Sequence, residues 1–171
     1  MKKDIDIVRE QLNREPDGFQ EVVRRMPDGT PAVIRVASVV DGVPFPTLYW
    51  ISNPSLTGMI HKYESDGVTN RIQQMVDEDK AFQQRLSEDN LAYIRKRESY
   101  FDKQINSELD RLGIQKSFSK KGIGGVANFA RVRCLHAYLA AHTVVPNLVG
   151  ELLTNCYGAE DPLVIALSQL N

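Results

Sequence analysis

Residues 19–52 read FQEVVRRMPDGTPAVIRVASVVDGVPFPTLYWIS. Three runs in this stretch, Phe19–Met26, Ala32–Val40 and Phe45–Ser52, are rich in β-branched and aromatic residues. Pro27-Asp28-Gly29-Thr30 and Asp41-Gly42 separate them. Such runs, cut by turn-forming residues, predict a small antiparallel meander. Pro44 and Pro46 lack the N–H a central strand must donate. They confine the third strand to an edge, or delay its start until Thr47.

Everything around the meander reads as helix. Residues 4–14 place Ile5, Val8 and Leu12 on one face, and Pro16-Asp17-Gly18 ends that helix. Asn53 or Ser55 can cap a helix running to about Ser65, with Pro54 in its first turn. Asp66-Gly67 closes it, and a short helix follows over about 69–77. Residues 80–112 carry the strongest periodicity, through Leu91, Ile94, Phe101, Ile105, Leu109 and Leu112. Arg95, Lys96, Arg97, Asp102 and Lys103 decorate its other faces. That charge reads as a solvated surface, or as a docking face for a protein partner. Gly113 ends the helix, and a loop over 114–125 leads into a further helix over about 125–145. Two short helices, about 147–155 and 161–169, form a C-terminal extension. The expected fold is therefore α+β: one predominantly helical domain over residues 1–171, with a small N-terminal antiparallel β-meander.

Composition narrows the function classes. The 171 residues are 42% hydrophobic and 25% charged, ordinary values for a globular domain. A formal net charge of −1 argues against a global nucleic-acid or membrane field. The N-terminal MKKDIDIVREQL lacks the apolar core of a signal peptide, and no run is long and apolar enough to span a membrane. A cytoplasmic location without membrane contact is expected. Cys134 and Cys156 lack metal-clip spacing.

The chemistry concentrates in Ser119–Val145, SKKGIGGVANFARVRCLHAYLAAHTVV. A basic glycine loop opens into an apolar segment that carries Arg131, Arg133, Cys134, His136 and His142. Cationic side chains on a buried helix are costly unless paired, so they mark a candidate site. On an ideal helix Cys134 and His136 would point about 160° apart, which argues against a shared metal ion. No metal and no cofactor is expected. An anion suits the segment better. Lys121, Gly124 and Gly125 lie at an expected helix start, and Arg131 and Arg133 follow. The opposing reading is a flexible solvated loop, with both arginines consumed by internal carboxylates. His136 is the candidate general acid or base, against the alternative of a hydrogen-bonded core imidazole.

The blocks Pro44-Phe45-Pro46-Thr47-Leu48-Tyr49-Trp50, Gly122-Ile123-Gly124-Gly125 and Arg133-Cys134-Leu135-His136-Ala137 resemble the bacterial domain-of-unknown-function family 501 over roughly residues 18–150. The resemblance implies no activity. It implies cysteines in relatives where this chain has Met26 and Asn53, so a thiol site suggested for relatives lacks two ligands here. It also suggests that Tyr49 and Trp50 wall one pocket with the glycine loop and the Arg-Cys-Leu-His segment.

Two functional readings follow. In the first, a small phosphate- or carboxylate-bearing ligand is held by Lys121, Gly124, Gly125, Arg131 and Arg133, between Tyr49 and Trp50, with His136 moving protons. In the second, the domain is a non-catalytic adaptor that docks through helix 80–112. RNA binding through Lys116, Lys120 and Lys121 with the two arginines ranks third, because the overall charge is balanced.

Overall fold

The computed structural model describes residues 2–171. Five short strands and nine α-helices are found among them. Strands β1 (Phe19–Arg25), β2 (Pro31–Val36) and β5 (Tyr49–Ile51) form an antiparallel sheet in the order β1-β2-β5. β3 (Val39–Val40) and β4 (Val43–Pro44) form a separate two-residue hairpin, closed by Asp41 and Gly42 with positive φ. The second expected strand is thus split at Ala37-Ser38. The third begins only at Tyr49 and lies at an edge, as the prolines require.

β2 is buried on both faces. Its residues alternate, as a strand's must. Ile34 and Val36 face α1 (Asp4–Leu12), where Val8 is fully buried with them in a small cluster beside Trp50. Val33 joins Tyr49 and Ile51 in the main core on the opposite face. Burying a side chain such as Val8 contributes about 2 kcal/mol.

The helical body covers that second face. It comprises α2 (Pro54–Ser65), α3 (Val68–Glu78), α4 (Lys80–Glu98), α5 (Lys103–Arg111), α6 (Gln115–Phe118), α7 (Leu135–His142), α8 (Leu148–Tyr157) and α9 (Pro162–Ser168). Asn53 caps α2, its Oδ1 accepting from the N–H groups of Ser55 and Leu56. α7 is apolar all round and lies against β5, α2 and α8. The chain end is tied in as well: Asn171 and Arg25 exchange both backbone hydrogen bonds at the edge of β1.

Two expected long helices are shorter than their periodicity suggests. The 80–112 segment breaks between Glu98 and Lys103. Asp102 caps the second piece by accepting from Ile105 N–H at 2.8 Å, which favours a fresh start over continuation. The adaptor reading therefore loses its continuous helix. Arg97, expected on the solvated face, is fully buried. The 125–145 segment is helical only from Leu135 to His142. Residues 126–134 instead lend their backbone to side chains of other helices. Gln73 on α3 donates from Nε2 to Ala130 O and accepts from Val132 N–H at 2.8 Å. These tertiary partners replace the helical ladder.

Candidate functional site

Cys134 decides the local geometry. Its backbone is extended (φ −152°, ψ 140°), and it serves as the N-cap of α7. Ala137 N–H donates to its Sγ at 3.4 Å. Because Cys134 lies outside the helix, the 160° separation expected of Cys134 and His136 does not arise. Their ligand atoms and that of Glu64 all lie within 4.8 Å of one another. Burial raises the Cys134 thiol above its ordinary pKa, so by itself it is a protonated thiol, not a nucleophilic thiolate.

Glu64, near the end of α2, brings the only carboxylate of this cluster. Leu135 N–H donates to Glu64 Oε1 at 2.7 Å, and Oε2 lies 3.2 Å from His136 Nδ1. The carboxylate thus sits at the positive end of α7, where an anion is favoured. His61, one helical turn before Glu64, packs edge-on against His136 with ring centroids 4.7 Å apart. His136 Nε2 is buried and has no hydrogen-bond partner. Glu64 was invisible to the sequence reading. The available signal was His61 and Glu64 at helical i, i+3 spacing, which gains meaning only once α7 is placed beside α2.

The arginines are not buried. Arg131 and Arg133 are exposed on the irregular 126–134 segment. Arg131 lies 3.8 Å from Asp77, with both side chains more than half exposed, a weak contact. Arg133 has no acidic partner among the described residues. The buried arginine is Arg97. Its guanidinium donates to the carbonyl oxygens of Pro46, Lys121 and Phe118 at 2.7–2.9 Å. It also lies over the Phe118 ring at 4.5 Å. Burial lowers its pKa, against the weaker pull of Tyr93 and Glu98, and its hydrogen bonds go to carbonyl oxygens and to no carboxylate. Tyr93 beside it donates to Pro46 O and has its phenol pushed up to about 12 by burial.

The glycine loop is structural. Gly122 N–H donates to Val126 O, Ile123 N–H to the buried Asn90 Oδ1, and Gly125 N–H to Gly122 O. Those amides are consumed internally and are not offered to an anion. Nor does the loop abut a helix start, since residues 126–134 intervene before α7. A Cβ at Gly122 would collide with Asn90 Oδ1, so this close approach requires glycine.

A cleft of about 320 Å³ runs between the end of α1, β5 and the start of α7. It gathers Tyr49, Trp50, Gly124, Arg133, Cys134 and His136, together with Arg14 and Thr47. Lys121, Gly125 and Arg131 are not among its lining residues. Lys121 lines a different cleft, beside Pro44, Pro46 and Ile114. Arg14, which the sequence reading passed over, lies over the Trp50 ring at 5.0 Å. A neighbouring cleft shares Leu12, Ile51, Cys134 and His136 and opens onto His61. A larger, mostly apolar cleft of about 510 Å³ lies between α3 and α8, away from these groups. No helix among the described residues is long and apolar enough to cross a membrane.

No curated protein and no solved structure matches the chain. One family model does, over residues 22–155, the greater part of the sequence. The match covers the sheet from Val22 on, the Glu64–Cys134–His136 cluster and the whole of the 320 Å³ cleft except Leu12 and Arg14. The chain belongs to the family described as protein of unknown function (DUF501).

Proposed function

We propose that the cleft between β5 and α7 binds a small ligand with an anionic group on a flat or apolar body. One observation carries this reading. Arg14 and Arg133 are exposed at the cleft, neither has a carboxylate partner among the described residues, and no acidic side chain lines it. Two unneutralised guanidinium forks suit a carboxylate or phosphate. Trp50 and Tyr49 supply the apolar walls. A volume of about 320 Å³ suits a compact ligand. His136 lines the same cleft with Glu64 at its Nδ1, an arrangement that orients an imidazole for proton exchange.

Trp50 is the chain's only tryptophan, so its fluorescence reports on this cleft. Titration with inorganic phosphate, pyrophosphate, nucleotides and aromatic carboxylates should give a saturable change with at least one class. Arg133→Ala should weaken that ligand about tenfold, equivalent to 1.4 kcal/mol. Arg131→Ala should leave it unchanged. Silence across all four classes, or equal binding by Arg133→Ala, overturns the reading.

A further inference from the structure

We propose that Glu64, Cys134 and His136, joined by His61, form a binding site for one zinc-type divalent cation. The site shares Cys134 and His136 with the 320 Å³ cleft, but the proposal does not rest on ligand binding there, and a bound ion would take His136 out of proton exchange. Two elements supply the ligands in pairs. α2 places His61 and Glu64 one turn apart on one face, and the start of α7 supplies Cys134 and His136.

The distances suit a single ion. The ligand atoms of Glu64, Cys134 and His136 lie within 4.8 Å of one another. Around a tetrahedral zinc ion, neighbouring ligand atoms stand about 3.5 Å apart, as bond lengths near 2.1–2.3 Å require. Closing that gap brings the ligand atoms together by roughly an ångström. His61 is exposed and packs its ring 4.7 Å from that of His136, which makes it the nearest side chain for the fourth position.

One pair of donors already stands at nearly the separation a single ion requires: Glu64 Oε2 lies 3.2 Å from His136 Nδ1. Leu135 N–H already holds Glu64 Oε1, which fixes the carboxylate and leaves Oε2 turned toward His136. Such a backbone contact orients a ligating carboxylate.

The donor set also selects the metal. One sulfur, imidazole nitrogen and one carboxylate oxygen match zinc and its borderline neighbours, whereas magnesium and calcium take oxygen ligands alone. On binding, the Cys134 S–H proton leaves to solvent and the thiolate bonds the ion. Thiolate and carboxylate together carry two negative charges, which neutralise a divalent cation. The neighbouring cleft opens onto His61, Cys134 and His136, so an ion reaches the site from water.

The test is a cobalt titration of the full-length, metal-stripped protein. Co²⁺ should produce a thiolate-to-cobalt charge-transfer band in the near ultraviolet and the intense visible bands of four-coordinate cobalt. Both should saturate at one ion per chain, and Zn²⁺ should displace them. Cys134→Ser keeps a good helix cap, so the fold should persist by circular dichroism. It should abolish the charge-transfer band and weaken Zn²⁺ at least tenfold in chelator competition. His61→Ala, an exposed change, should weaken Zn²⁺ about tenfold. No stoichiometric cobalt spectrum, or Zn²⁺ affinity unchanged in Cys134→Ser, overturns the proposal. The Trp50 ligand titration, run on the metal-stripped wild-type protein, tests the cleft reading separately.

Discussion

Arg97 on α4 donates from Nη1 to the backbone carbonyl oxygen of Lys121 at 2.7 Å. The same guanidinium reaches Pro46 O and Phe118 O, so one side chain ties α4 to the segment before β5 and to the entrance of the glycine loop. The charge is balanced by carbonyl dipoles and an aromatic face, with no carboxylate in the arrangement.

Arg97→Leu should therefore destabilise the fold by about 3 kcal/mol, because it leaves three carbonyl oxygens without their charged donor. Arg97→Lys should recover only part of this, since an ammonium cannot reproduce the planar fork. Urea unfolding followed by Trp50 fluorescence measures both. A loss below about 0.5 kcal/mol for Arg97→Leu would show that the carbonyl oxygens find other donors.

Gly122→Ala should cost about 2 kcal/mol, the usual penalty of forcing atoms into a packed site. The added Cβ collides with Asn90 Oδ1, the acceptor for Ile123 N–H. Asn90→Ala removes that acceptor and should cost a similar amount by orphaning a buried N–H. Both changes break one hydrogen bond, so the double variant should lose about 1 kcal/mol less than the sum. Strict additivity in chemical unfolding would refute the shared mechanism.

His142 should make stability fall on mild acidification. Its Nδ1 accepts from Asn147 N–H at 3.0 Å, and Gly150 lies against its ring. Burial holds its pKa below the ordinary 6.5, against the opposing pull of Glu151 and Asp89. Below pH 6.5 the unfolded chain takes up a proton that the folded chain resists, so unfolding gains free energy as pH drops. The loss should begin near pH 6.5 and end below the depressed folded pKa. His142→Gln should flatten this limb of a plot of urea midpoint against pH. An unchanged slope would assign the acid sensitivity elsewhere.

Gln73 should control the mobility of the segment that carries Arg133. Its side chain makes two hydrogen bonds to the backbone of that segment. Gln73→Ala should speed hydrogen exchange at Val132 N–H about tenfold, a local loss of 1.4 kcal/mol. Protection in α7 should be retained. Equal protection at Val132 would mean that the loop is held by its packing alone.

Local chemistry made much of the fold readable. Asn53 with Pro54 announced α2, and the Pro/Gly turns with β-branched runs announced the sheet. Asp102 was a legible cap inside the 80–112 pattern, but a surface charge and a helix cap share one letter, and apolar periodicity ran across it. The site was less legible. Tyr49, Trp50, Gly124, Arg133 and His136 do meet in one cleft, while Lys121, Gly125 and Arg131 do not line it.

What the sequence determined by itself was the helical and strand periodicity, the turns and the neighbourhood of the chemistry, because those depend on residues close along the chain. The tertiary structure alone decided which arginine is buried, where α7 begins and what Cys134 and His136 face. Arg97 is buried because carbonyl oxygens from three distant positions converge on it. α7 starts late because Gln73 satisfies the preceding backbone and Glu64 takes the N–H of Leu135, its first residue, both from other helices. Such partners lie about 60–70 residues away along the chain, and no local pattern can encode their arrival.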